Sequence, residues 1–384
     1  MITSSHSQHA SRPNYGDSRS SRASSTSALS LRLATTSEER EEIYRLRHEV
    51  YGIENHFGAQ PSADFRAWED SCDAKAVHLY AAADGKIVGA LRILYGADGA
   101  FSESSSRAYD LGRFLPIVAL EKMAITSRFA LKREYRASTL AIQLFIESAR
   151  LQRERGVELA FGDSPLTLLP YYTALGFRTY QAPYHHPVAG TLAPFVFVVG
   201  DLEYLRQIQS PILTLATEST SELDETARRM REVLSFQTPL RGARSHTNRF
   251  WMELYTVFGQ PPFENGPLAG LTEAELRSLL GSSYIADFPG GSTLLRTGHP
   301  ATERWLVLSG QVEVDDMRVP PYAIVGGASE ESGALHGVDA RIGPQGAMLV
   351  SIDERKLRQM LGTASHFAER LSANLEAFQI RAPR

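Results

Sequence analysis

The chain is poor in cysteine. Cys72 is the single one among 384 residues. An intrachain disulfide and a Cys-rich metal site are both excluded, and a reducing compartment, the cytoplasm, is the simple expectation. No run of about 18 apolar residues occurs, so no membrane-spanning helix is expected. Lysine is scarce as well: Lys75, Lys86, Lys122, Lys132 and Lys356 stand against a background of arginine. The net charge of -4 lacks the excess of a basic domain, which argues against a general nucleic-acid binder. No metal is expected. The adjacent His185-His186 lies in a Pro-rich stretch without an acidic or Cys ligand set and reads as a loop pair.

What is present sorts into segments. The length suggests two or three domains of roughly 150 residues. Residues 1–30 are dominated by Ser, with Arg12, Arg19 and Arg22 and hardly any apolar side chains. Such a tail cannot bury enough surface to offset its ordering entropy, so disorder is expected. Its acid-poor, Arg- and Ser-containing composition also fits an organellar transit peptide. Order is expected from Leu31. Leu31–Ala34 reads as a strand, and Ser37 as the N-cap of an acid-led helix carrying Ile43, Leu46, Arg47, Val50 and Tyr51. Residues 52–74 read as a loop. Val77–Ala81 and Lys86–Leu94 read as strands around the turn Asp84-Gly85.

A long loop is expected at 95–116, then a strand at Leu120–Leu131 holding Glu121. A helix follows from about Ser138 to Arg155, stopped by Gly156. Glu158–Phe161 is a fifth strand, Leu166–Leu175 a helix ended by Gly176, and Phe195–Val199 a last strand. This alternation predicts an α/β domain over 31–205. A helical connector is expected at 206–264. A second domain is expected over 265–384: a helix at Thr272–Leu280, then from Tyr284 short β-like runs punctuated by glycines that predict an all-β roll, with helices at about 353–361 and 366–379. A capping box is expected at Thr272 and Glu275.

Two segments carry chemistry. Leu120–Leu131 runs into a turn with Arg136, then Ala137, Ser138, Thr139, Leu140 and Ala141 open a helix. Unpaired N–H groups and the dipole at a helix start suit a phosphate, although the same stretch also fits an ordinary capped turn. About 35 residues later comes Tyr172-Thr-Ala-Leu-Gly-Phe177. Together these resemble the GNAT superfamily of acyl-CoA-dependent acyltransferases, over about 31–200. Arg136 to Ala141 meets the pattern [RQ]-x-x-G-x-[GA], with Thr139 where the family usually has Gly. Leu46-Arg-His-Glu-Val-Tyr51, Asp70-Ser-Cys-Asp73, Gly89-Ala-Leu-Arg92, Glu121 and Ser127-Arg128-Phe129 occur in the order of the acyl-homoserine lactone synthases and related N-acyl amino acid synthases. Trp68 replaces the first acid of the lactone synthases' Glu-x-Asp-x-x-Asp, which favours a different amine acceptor.

The resemblance implies a GNAT-fold mixed sheet with flanking helices and a bacterial N-acyltransferase. The acyl donor would be an acyl carrier protein or acyl-CoA thioester, and the acceptor the amino group of a small molecule such as an amino acid. Glu121, if desolvated, would be the base. Tyr172 would protonate the departing thiolate. Backbone N–H groups at Phe129, Ala130 and Leu131 would polarise the thioester carbonyl. Arg136, Ala137, Ser138, Thr139, Leu140 and Ala141 would hold the donor. Arg47, Asp70, Asp73, Arg92 and Arg128 would face the acceptor. Structural roles fit several of these too: Arg47 as a snorkelling or paired residue, Asp70 and Asp73 as caps, Arg92 as their partner.

In the second domain, Phe288–Gly298 and Glu303–Glu313 resemble the cyclic-nucleotide-binding β-roll over about 265–380. Its ligand half departs from that pattern. Arg341 stands near the expected phosphate position, but the Gly-Glu adjacency is broken, leaving Glu330 or Glu331 to reach in. This implies a degenerate sensor, a homodimer surface or a carrier-protein dock. Two rival functions follow: a protein lysine acetyltransferase gated by a cyclic nucleotide, and a non-catalytic thioester-binding sensor.

Overall fold

The computed structural model describes residues 29–54, 64–215, 221–235, 240–244, 248–327, 335–363 and 365–380. Most of the Ser-rich segment and both Glu330 and Glu331 lie outside them. The first sheet holds β1 (Ser30–Leu33), β2 (Val77–Ala83), β3 (Lys86–Tyr95), β4 (Met123–Leu131), β5 (Leu159–Pro165), β6 (Arg178–Thr179), β7 (Tyr184–His186) and β8 (Gly190–Val198). Their order is β1-β2-β3-β4-β5-β8-β6, with β7 beside β8. β4 is the pivot, antiparallel to β3 and parallel to β5.

Local chemistry explains most of these elements. Asp84 and Gly85, both at positive φ (50° and 76°), make the tight hairpin turn between β2 and β3. Helix α1 (Ser37–Arg47) is capped by Thr36, one residue before the expected Ser37, because Thr36 and Glu39 form a reciprocal capping box. The expected loop 95–116 contains a short helix, α2 (Glu103–Ala108), whose Ser102 hydroxyl accepts the N–H of Ser105. Helix α3 (Leu140–Glu154) buries Leu140, Ala141, Leu144, Phe145 and Ala149 on one face. Each large apolar side chain so buried contributes about 1.5–3 kcal/mol. Helix α4 (Leu169–Leu175) ends at Gly176, where φ is 113° and a Cβ would lie 2.4 Å from Leu205. Only glycine fits both demands.

Helices α5 (Leu202–Gln207) and α6 (Ser221–Ser235) lead to a second sheet. Its strands are β9 (Leu240–Gly242), β10 (Tyr284–Phe288), β11 (Thr293–Leu295), β12 (Glu303–Val314), β13 (Met317–Arg318), β14 (Ile324–Gly326) and β15 (Ala340–Asp353), all antiparallel. The connector is therefore not helical throughout, since β9 within it joins this sheet through β10. Helices α7 (Arg249–Phe258), α8 (Glu273–Leu280), α9 (Glu354–Leu361) and α10 (His366–Phe378) complete the region. The capping box of α8 on Thr272 and Glu275 is present. Arg341 is exposed on β15. One continuous apolar cluster includes Leu144 and Phe195 of the first sheet's core and Phe288, Trp305 and Leu349 of the second. Among the described residues no helix is long and apolar enough to cross a membrane.

Candidate active site

The parallel strands β4 and β5 pair only over Met123–Leu159, Ala124–Ala160 and Ile125–Phe161, then part. Beyond that point β4 carries a bulge: Ala90 pairs with Ala130 and Arg92 with Ser127, leaving two β4 residues opposite Leu91. Arg128 within it has φ 54°, a conformation that costs a non-glycine residue about 1–3 kcal/mol. The freed Phe129 carbonyl accepts the Tyr51 hydroxyl at 2.5 Å. Tyr51 is carried by a π-helical turn, His48–Glu54, that continues α1. Such turns are frequent at functional sites.

A ladder of charges leads to this opening. His78, Arg92 and Ser127 form one row across β2, β3 and β4. Arg47 of α1, fully buried, donates to both Asp73 oxygens at 3.0 and 2.9 Å. Arg92 donates to Asp73 at 3.1 Å, to Asp70 at 2.6 Å and to the Ser127 hydroxyl at 3.1 Å. Arg128 donates to the other Asp70 oxygen at 2.8 Å. Thus Arg47, Asp73, Arg92, Asp70 and Arg128 alternate in sign. The buried end is closed, while the Asp70 and Arg128 side chains remain about a third exposed, at 31% and 33%. The cap role expected of Asp70 is present too, since it accepts the Cys72 N–H at 2.9 Å.

Burial opposes ionisation of both aspartates, yet Arg92 and Arg128 hold Asp70, and Arg47 and Arg92 hold Asp73, below the usual carboxylate range. Burial and then the Arg47 charge push His78 down to about 4. Its Nδ1 accepts from Arg47 at 3.2 Å, so this neutral ring carries its proton on Nε2. Three guanidinium groups against two carboxylates leave one positive charge uncompensated within the ladder.

Across the opening, Asp163 of β5 accepts the hydroxyls of Tyr109 at 3.1 Å and Tyr184 at 2.5 Å, both on Oδ2. Oδ1 has no hydrogen-bond partner among the described residues. Tyr172 of α4 is 7% exposed, and its ring stacks on Phe195 at 4.6 Å. Burial, then Tyr51, Tyr171 and Asp163, push its hydroxyl far up, so it stays protonated. Phe129 meets Phe145 at 5.0 Å, beside the buried Ala130 and Leu131.

The start of α3 lies open. Residues 136–139 are exposed. Thr139 is the N-cap with φ -76°, an ordinary helical value that a glycine would not improve, and its side chain makes no cap. The N–H groups of Ala137, Thr139, Ala141 and Ile142 have no partner among the described residues, whereas Leu140 donates to the Ser138 hydroxyl at 3.2 Å. That arrangement suits an anion. Arg136 is drawn back to the Leu131 carbonyl at 3.0 Å and to Glu54.

Residues 46–145 match the family model of the acetyltransferase (GNAT) domain. The match covers about a quarter of the chain and lies within the first sheet and its helices. No curated protein sequence matches the chain. Among solved structures, FeeM, an N-acyl amino acid synthase from uncultured soil microbes, is 16% identical. That match covers 50% of this chain and 99% of FeeM, with TM-score 0.40. BjaI, a CoA-dependent acyl-homoserine lactone synthase, is 19% identical, covering 52% and 98% with TM-score 0.38. Escherichia coli ElaA is 12% identical, covering 44% and 99% with TM-score 0.32.

The first sheet and α1 bring together Arg47, Asp70, Asp73, Arg92 and Arg128, the five residues expected to face the acceptor, but not Glu121. That side chain is exposed on a 3-10 turn, Leu120–Lys122, before β4 begins. It stands at the end of β4 away from the opening, roughly 20 Å of strand from Arg128. The desolvation that would make it a base is absent. The sequence reading puts Tyr51 on a helix face and in the Leu46–Tyr51 motif and His186 in a loop pair, gives neither a site role of its own, and passes over Asp163 and Tyr184. An acid inside the apolar run Leu159–Pro165 was the one available signal, because buried acids need partners.

Proposed function

We propose that the protein transfers an acyl group from a phosphopantetheine thioester, carried by an acyl carrier protein or coenzyme A, to the amino group of a small molecule bearing an anionic group. The observation that carries this reading is the ladder's open end: Arg128, with the ladder's uncompensated positive charge, beside the parting of β4 and β5. A carboxylate on the acceptor suits that guanidinium, as in an amino acid.

In this reading the open amides of α3 hold the donor's phosphate, and the pantetheine arm lies between β4 and β5. N–H groups at the bulge polarise the thioester carbonyl. The acceptor ammonium approaches Asp163 Oδ1, which takes up a proton directly or through water, and the free amine attacks. As the C–N bond forms the C–S bond breaks, Tyr172 gives its proton to the thiolate, and the excess proton on the attacking nitrogen restores the Tyr172 phenol, directly or through water.

The test is thiol release and product mass analysis, with acyl-CoA and acyl carrier protein thioesters of several chain lengths set against anionic and neutral amines. Turnover with anionic amines is expected. Arg128→Ala should raise KM for these by roughly tenfold or more while sparing neutral amines. No thiol release with any pair overturns the proposal. Turnover limited to acetyl-CoA and lysine peptides would instead favour acetylation of proteins.

A further inference from the structure

Strand β7 has three residues and pairs only with β8, over Tyr184–Leu192, His185–Thr191 and His186–Gly190. Alternation along a strand puts Tyr184 and His186 on one face and His185 on the other. The first face belongs to the opening. Tyr184 donates to Asp163. His186 Nδ1 accepts the N–H groups of Val188 and Ala189, each at 3.1 Å, which fixes the ring and leaves its proton on Nε2. Asp163 and Arg128 are among the charges acting on this ring.

The second face belongs to the C-terminal sheet. His185 Nε2 lies 2.7 Å from His299 Nδ1, and the two ring planes are nearly parallel, 12° apart with centroids at 4.9 Å. His336 is 6.2 Å from His185. The turn bearing His299 is itself tied: His336 N–H donates to the His299 carbonyl at 2.8 Å, and Gly298 N–H to the His336 carbonyl at 2.9 Å. Next to this contact, the Thr191 N–H reaches the Thr302 hydroxyl at 3.3 Å. Among the described residues no group of His, Cys, Asp and Glu is arranged to hold a metal ion, so the His185–His299 contact is a hydrogen bond. One ring must donate and the other accept, which two imidazolium rings cannot do. Beside burial, the largest influences on His185 come from His299, His336, His186 and Arg296.

We propose that the C-terminal sheet positions the acyltransferase site, with His299 holding β7 through His185 so that Tyr184 meets Asp163 and His186 stays on the same face of the strand. A three-residue strand with one neighbour cannot fix two site side chains by itself; the histidine contact supplies the second anchor. His299 is thus a positioning residue, and this role rests on the function proposed above.

The experiment uses the full chain with histidine-selective 15N labelling, together with kinetics of the acyl transfer. The wild type should show a neutral His186 with the proton on Nε2. His299→Ala should shift the His186 resonances and lower kcat/KM for the amine by roughly tenfold, with KM for the thioester unchanged. His299→Asn, whose amide oxygen takes the place of Nδ1, should restore both. Arg318→Ala, on an exposed strand of the same sheet, should alter neither. Unmoved His186 resonances in His299→Ala overturn the proposal, even where no amine is turned over. Moved resonances without turnover of any substrate leave the positioning intact and overturn the function instead. If His299→Ala does not fold, His299→Asn and His185→Asn are compared in its place, and an unshifted His186 in His185→Asn overturns the proposal.

Discussion

Glu303 gives a stability prediction with a definite sign. Its residue is 3% exposed, and its Oε2 accepts the Thr302 hydroxyl at 2.5 Å at the contact between the two sheets. Burial, opposed by hydrogen bonds from Thr302 and Thr191, lifts the carboxyl from 4.5 to about 7. The folded chain therefore binds this proton more tightly than the unfolded one. Stability from this group is full below pH 4.5, falls as pH rises toward 7, and is lost above it. A rise of that size is worth roughly 3 kcal/mol once ionisation is complete. Glu303→Gln cannot ionise. His78, His185 and His336, each pushed down to about 4 chiefly by burial, act in the opposite sense, losing stability as pH falls from 6.5 toward 4. They are present in both proteins and cancel in the difference. Urea unfolding at a series of pH values should show Glu303→Gln gaining on the wild type by roughly 2–3 kcal/mol between pH 5 and 8. Parallel profiles would refute the reasoning.

Asp73→Asn strips the buried Arg47 of its carboxylate and should cost about 3–5 kcal/mol. The more exposed Asp70→Asn should cost about 1 kcal/mol or less, and equal losses in urea unfolding would contradict the ladder. Tyr172→Phe should lower kcat on the order of a hundredfold with alkyl thioesters, but far less with an aryl thioester, whose thiolate leaves without a proton; equal losses would remove Tyr172 as the acid. Glu121→Gln, at an exposed turn, should leave kcat/KM and the melting temperature nearly unchanged. Arg128→Gly should be more stable than Arg128→Ala by about 1 kcal/mol, since only glycine takes φ 54° freely; calorimetric melting decides this.

Local chemistry made much of the fold legible. Gly156 and Gly176 stop their helices, Asp84-Gly85 turns its hairpin, and Thr272 with Glu275 caps α8, because each rests on neighbours within a few residues. What escaped rests on distant partners. Glu121 fell on the wrong side of a strand boundary, and one turn of difference carried it from a buried strand to an exposed 3-10 segment. Asp163 and Tyr184 meet across 21 residues, and His185 and His299 across 114. No periodicity announces such contacts. The ladder residues were reached through resemblance rather than pattern: Arg47, Asp73 and Arg92 sit on separate elements, and each alone fits an ordinary ion pair.

The two sides of the opening differ in how they are held, and this bears on where selectivity resides. On the side proposed for the donor, the Ser138 hydroxyl takes the Leu140 N–H and the other open amides at the start of α3 meet no side chain, a surface that suits any phosphate and takes no account of what the thioester carries. On the side proposed for the acceptor, each charged group of the ladder is pinned. Arg128 is held in a strained backbone conformation by Asp70, Asp70 by Arg92, and Arg92 by Asp73, whose second guanidinium partner is the buried Arg47. Replacing such a buried network with apolar side chains is often neutral or stabilising, so stability alone does not account for it. Preorganisation does: a guanidinium fixed before binding needs no reordering when an anion arrives. In the proposed function, the acceptor's anionic group is therefore read by a rigid site.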